Sequence, residues 1–143
     1  MNMTARPPVL FWIVAILAVL WNLLGVFSFY YHFTATPEVI ATWTEEQQRL
    51  FEAMPRWLFG PFAVAIFGGL LGSLGLLLRK RWSVPVLLLS LLGIVVQFTA
   101  NYLTTPMWQT TGLRGLSFPL CIAAVGLFLW WYARRSAARG WLR

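Results

Sequence analysis

The sequence has no aspartate, one lysine, one histidine and one cysteine in 143 residues, and its only acids are four glutamates. Charged residues make up 10% of the chain, against about 25% in an ordinary globular domain, too few to build a water-facing surface. Cys121 is alone, so no intramolecular disulfide can form, and its apolar surroundings make it a small packing residue. The lone His32 has no second histidine, cysteine or carboxylate at ligand spacing, so a metal or haem held within one chain is not expected; a site shared across a symmetric oligomer stays open. No nucleophile with a neighbouring base, no phosphate loop and no metal motif is visible, which argues against an enzyme and against any cofactor.

What the chain does have is apolar length. Hydrophobic residues supply 59% and aromatic residues 17%, and they fall in four runs, residues 9–33, 57–78, 82–102 and 116–132. Each approaches the roughly 20 residues that cross about 30 Å of hydrocarbon. The organising stretch is residues 57–100, two such runs joined by Arg79, Lys80, Arg81 and Trp82, which reads as a membrane hairpin with a basic turn. The expected fold is all-α, one domain over residues 1–143, with four transmembrane helices. The first run follows Arg6 and could imitate a secretory leader, but it continues through Trp21 to Phe29 without a small-residue cleavage site and reads as a retained span.

Charge placement orients the bundle. Of eleven Lys and Arg, eight lie in the amino-terminal segment, the 79–81 turn and the carboxyl tail. The positive-inside rule therefore places both termini in the cytoplasm and residues 34–56 outside. The net charge of +7 would suggest nucleic acid in a soluble protein, but these charges sit at the ends of apolar runs, so no nucleic acid is expected. Residues 34–56 hold every glutamate (38, 45, 46 and 52). Thr36-Pro37-Glu38 has the order of a helix start and Thr44 to Gln47 spells a capping box, so this outer loop should be partly helical.

Two constellations stand out. Gly68, Gly69, Gly72 and Gly75 put small residues along span two, where close packing replaces the hydrophobic effect as the force between helices. That face suits a neighbouring span, a second copy of the chain, or a ligand groove. Ser90, Gln97, Asn101 and Thr104 share one face of span three. At a 1.5 Å rise per residue from each cytoplasmic end, Asn22 of span one and Gln97 come to similar depth. Both are expected to face inward, either hydrogen-bonded to each other or lining a small polar cavity whose mouth holds Asn101, Tyr30, His32 and Tyr102. No ionisable residue lies within the spans away from their ends, which disfavours proton coupling. A weaker pattern is an internal echo: Arg56, Leu58, Pro61, Ala65 and Gly68 match Arg114, Leu116, Pro119, Ala123 and Gly126 at constant offset. Hairpin duplication about an axis along the membrane normal and chance both account for it.

Trp21-Asn22-Leu23-Leu24-Gly25, Thr36-Pro37-Glu38, Pro55 with Trp57, Phe67-Gly68-Gly69 with Gly72-Ser73, Leu78-Arg79-Lys80-Arg81-Trp82, and Ser90-Leu91-Leu92-Gly93 with Gln97 together resemble a group of small bacterial four-span membrane proteins that often carry the label of sugar transporter. The resemblance covers residues 12–97 and implies a multi-pass protein of the bacterial inner membrane. It brings no substrate residues with it. The functional expectation is a non-enzymatic membrane protein that binds or passes a small neutral polar solute along its interior seam, as an oligomer. The alternative is an accessory or assembly subunit whose glycine face and outer loop dock on a larger membrane complex.

Overall fold

The computed structural model describes residues 5–143; residues 1–4 of the expected single domain lie outside it. Seven α-helices follow one another: α1 Val9–Phe33, α2 Pro37–Ile40, α3 Glu45–Ala53, α4 Phe59–Leu77, α5 Ser83–Thr104, α6 Met107–Thr111 and α7 Ser117–Ala138. With the 3₁₀ turns that precede α4 and α7, four helical segments of 25, 22, 22 and 27 residues are long and apolar enough to cross a membrane. The chain is therefore read as a multi-pass, all-helical protein.

The exposed surface confirms which solvent this sequence suits. Val9, Leu24, Phe27, Leu103, Phe118 and Leu120 are among the large apolar side chains left exposed, whereas the interior holds small residues, including Ala15, Ala18, Gly69, Ser73 and Ser90. Water would reverse that distribution. Lipid tails cover apolar side chains at no loss, and small residues let helix backbones approach.

The four long helices pack in chain order. Helix α4 lies between α1 and α5, with its most extensive contact to α5, and α7 packs on the far side of α5. Helices α1 and α7 meet at one end, where Phe11 stacks near Tyr132 and Trp141, with ring centroids 6.3 Å and 5.9 Å apart. The echo in sequence has a local counterpart: 3₁₀ turns at Arg56–Leu58 and Gly112–Leu116 lead into α4 and α7, and Pro61 and Pro119 stand third in each helix. The packing does not repeat it. A two-fold relation would make α1 meet α7 as closely as α4 meets α5, and it does not.

A clasp closes one end. Helix α4 finishes in a Schellman motif, with the Lys80 amide donating to Gly75 O at 2.7 Å and the Arg79 amide to Leu76 O at 3.0 Å; α7 finishes the same way, Trp141 to Ser136 O at 3.0 Å and Gly140 to Ala137 O at 3.1 Å. Gly140 takes the left-handed position at φ 76°, which glycine adopts freely, but on α4 that position is Arg79 at φ 59°. A side chain there costs roughly 1–2 kcal/mol. Contacts of Arg79 itself offset it: the guanidinium donates to Trp141 O at 2.8 Å and to Ala5 O at 2.9 Å. The chain past each helix then pairs, Arg81 amide to Arg143 O at 3.0 Å and Arg143 amide to Arg79 O at 2.7 Å. Both ends of the described chain and the basic turn thus lie on one side of the bundle, with Leu142 buried beneath them.

The opposite end carries the glutamates. Thr36 caps α2, and the capping box of α3 is formed, Gln47 amide to Thr44 Oγ1 at 3.2 Å and Thr44 amide to Gln47 Oε1 at 3.1 Å. Trp43 pins this segment to the end of α1: its indole N–H donates to the Tyr31 hydroxyl at 3.0 Å, and its ring lies 5.4 Å from His32 and 5.2 Å from Phe51.

Candidate functional site

The interior polar residues form a knot in the middle of the bundle. Asn22 donates from Nδ2 to Ser73 Oγ at 2.9 Å and to its own helix at Ala18 O, 2.8 Å. Its Oδ1 occupies the space that a side chain at Gly69 would need, and Ser90 Oγ lies 3.2 Å from the same point. Ser90 donates to Ala65 O at 2.5 Å, bridging α5 to α4. The Asn22 amide is thus satisfied by Ser73 and its own helix and the Ser90 hydroxyl by a carbonyl of α4, as an apolar solvent demands.

Asn22 therefore pairs with Ser73 and not with Gln97, for two geometric reasons. Helix α4 stands between α1 and α5. Depth separates them as well: Gly69 meets both Asn22 and Ser90, which sets Asn22 level with Ser90. Gln97 lies seven residues, about 10 Å, farther toward the glutamate end.

The glycine face is occupied by the protein itself. Built side chains at Gly68, Gly72 and Gly75 would meet Ser90 at 3.3 Å, Leu87 at 2.6 Å and Trp82 at 2.7 Å, all on or next to α5. Of the three roles open to these glycines, the contact is with a neighbouring span, which leaves no glycine face for a partner to dock on. The closest backbone approach belongs to a residue of α5: a Cβ at Gly93 would lie 2.9 Å from Ala65 N and 3.2 Å from Pro61 O.

The remaining seam residues do not converge. Tyr30 is 66% exposed on the lipid-facing side of α1. His32 lies within 2.8 Å of Ser28 O through Nδ1; a carbonyl only accepts, so Nδ1 is the donor in this contact. Asn101 accepts at Oδ1 from Thr105 Oγ1 at 3.0 Å, a bond within its own helix end. Gln97 is only 6% exposed and its side chain has no hydrogen bond to a described residue. Tyr102 turns the other way, toward α7, where its hydroxyl is buried without a partner and a Cβ at Gly115 would stand 3.0 Å from it.

That tyrosine borders a feature invisible in the sequence. Between the glutamate-end halves of α5 and α7 runs a groove of about 440 Å³, lined by Ile94, Phe98, Thr99, Tyr102, Trp108 and Leu120 among others. It is open to the surface along its length rather than enclosed. The lining is almost wholly apolar, and the Tyr102 hydroxyl is enclosed behind it rather than open to it. Thr99 and Trp108 lie off the face shared by Ser90, Gln97 and Asn101, and Ser73, a serine among glycines, reads in sequence as another small residue. A second notch, polar and on the surface, lies between α3 and α6 at Glu45, Glu46, Arg49, Pro106 and Gln109. Glu46 there faces Arg114 at 3.5 Å, an exposed ion pair worth at most about 1 kcal/mol. Among the described residues no three of His, Cys, Asp and Glu gather as a metal site would require. No protein-family model matches the chain, and no curated protein or solved structure matches it either.

Proposed function

We propose that this is a non-enzymatic protein of the bacterial inner membrane, with the clasp in the cytoplasm, that binds a small neutral molecule in the groove between α5 and α7. The topology rests on eight of eleven Lys and Arg gathering at the clasp end. The observation that carries the binding reading is the apolar groove of about 440 Å³ itself, with the unpartnered Tyr102 hydroxyl enclosed just behind its wall. Such a wall takes a ligand with an apolar body, and a single hydrogen-bonding group on it finds a partner when the Tyr102 ring turns its hydroxyl into the groove. A sugar would leave most of its hydroxyls unpaired there, each costing on the order of 1–3 kcal/mol. The ligand class is therefore amphipathic and reached from the bilayer. The knot of Asn22, Ser73 and Ser90 ties α1, α4 and α5 together across the middle of the interior, which favours binding over passage.

Photolabelling tests it. A photoactivatable medium-chain alcohol, added to the protein in lipid nanodiscs, should label peptides of α5 and α7 around residues 94–103 and 116–123. Ala123→Trp, which fills the groove, should remove that labelling, and Tyr102→Phe should weaken binding about fivefold, the worth of one hydrogen bond near 1 kcal/mol. Labelling spread evenly over the lipid-facing helices, or unchanged in Ala123→Trp, would refute the proposal.

One observation favours a second reading. Gln97 is 6% exposed and its side chain makes no hydrogen bond to another described residue, yet its amide is not among the fully enclosed unpaired polar atoms, so it is reachable by a partner, which an amide in hydrocarbon needs. A neutral polar solute reaching Gln97 from the glutamate end would supply it. Sugar uptake into proteoliposomes abolished by Gln97→Leu and indifferent to Ala123→Trp would select this reading over the groove.

A further inference from the structure

The clasp end carries Arg6, Arg79, Lys80, Arg81, Arg134, Arg135, Arg139 and Arg143, while all four glutamates stand at the opposite end of the bundle. The one ion pair among the described residues, Arg114 with Glu46, is also at that opposite end. Arg79 is committed to the carbonyls of Trp141 and Ala5. The other seven basic side chains are exposed and make no ion pair among the described residues, Arg81 also donating from Nε to Leu142 O at 3.5 Å. The negative end of the α7 dipole tolerates part of this charge. It does not remove the repulsion between Arg135 and Arg139, which sit four residues apart on one face of α7.

Aromatic rings fix where these charges lie. Arg134 stacks over Trp130 at 5.1 Å, Arg135 over Trp131 at 5.4 Å and Arg139 over Trp141 at 5.3 Å. Tryptophan settles at the level of lipid headgroups, so each guanidinium is held at that level by a ring that also limits its rotamers. Arg81 and Arg143 lie beside each other at the same end of the bundle because their backbones pair in the clasp.

We propose that this end binds the phosphate headgroups of anionic phospholipids, with Arg135 and Arg139 of α7 and Arg81 and Arg143 of the clasp as the headgroup contacts. A guanidinium donates two parallel hydrogen bonds to a phosphate, and a phosphodiester between Arg135 and Arg139 replaces their repulsion by attraction. The lipid source is favoured over nucleic acid because the charges end apolar spans and are flanked by Trp82, Trp130 and Trp131.

Spin-labelled lipids test it in bilayers holding the full chain. The protein should immobilise phosphatidylglycerol over phosphatidylcholine of the same chain length, and the preference should fall as salt is raised. Each arginine at the surface is worth about fivefold, so Arg135→Gln with Arg139→Gln should lower the preference about 25-fold, or to none. Arg135→Lys with Arg139→Lys keeps the charge and should keep most of the preference. Glu45→Gln with Glu46→Gln, at the far end, should not change it. Equal immobilisation of the two lipids, a preference indifferent to salt, or a preference unaltered in the glutamine pair would overturn the proposal. Displacement of the labelled lipid by inorganic phosphate or by an oligonucleotide at low concentration would overturn it as well. If the glutamine pair fails to fold, the lysine pair and the salt series on the unaltered chain still decide.

Discussion

Gly93→Ala is the sharpest test of how the bundle is held. A methyl group added there would lie 2.9 Å from the amide nitrogen of Ala65 and 3.2 Å from the carbonyl of Pro61, both backbone atoms of α4. Reaching ordinary contact at 3.4 Å requires α4 and α5 to separate by about 0.5 Å, since no rotamer change can make room. That separation also stretches the Ser90 to Ala65 hydrogen bond, now 2.5 Å. Overpacking of this kind costs about 1–3 kcal/mol. Alanine's helix propensity returns up to about 1 kcal/mol, so the comparison to make is with Gly60→Ala, where nothing lies within 4 Å of the added carbon. The difference between the two variants should be about 1–3 kcal/mol, larger than the loss in Gly93→Ala measured against the unaltered chain. Unfolding by sodium dodecyl sulfate in mixed micelles, followed by circular dichroism, measures it. If Gly93→Ala is as stable as Gly60→Ala, the backbones are not in contact and the α4–α5 interface drawn above is wrong.

Other consequences follow from the knot and the clasp. Asn22→Leu and Ser73→Ala should each destabilise by about 1 kcal/mol, with a coupling of about 0.6 kcal/mol in the double-mutant cycle; additive effects would mean that Asn22 has some other partner. Leu142 is 1% exposed, so Leu142→Ala should cost about 2–5 kcal/mol and speed hydrogen exchange at the Arg81 and Arg143 amides; unchanged exchange would show that the clasp does not depend on this anchor.

The structure also decides between roles that the residues alone leave open. Gly68, Gly69, Gly72 and Gly75 were suited to a neighbouring span, a second copy or a ligand, and α5 with Asn22 takes all four. An accessory-subunit reading must therefore use the lipid-facing helices or residues 34–56. The expected mouth of Asn101, Tyr30, His32 and Tyr102 is dispersed over two sides of the bundle because α4 separates α1 from α5 and because Tyr102 is rotated about one residue, near 100°, from Asn101 on the helix. Inward-facing polarity was legible, and its pairing was not.

Local chemistry was readable from order alone. The four spans, the caps at Thr36 and Thr44 and the basic turn depend on neighbours within a few residues, because hydrocarbon requires each helix to satisfy its own backbone and a cap reaches only three residues along the chain. Which helix touches which, that Arg79 takes the left-handed position and binds carbonyls 62 and 74 residues away, and that a groove opens between α5 and α7 all depend on helix order and relative depth. In a bilayer nearly every long apolar side chain can face lipid with equal comfort. The pattern of hydrophobicity therefore marks out the helices but carries little information about their arrangement, and the small residues that set it declare themselves only when the helices are brought together.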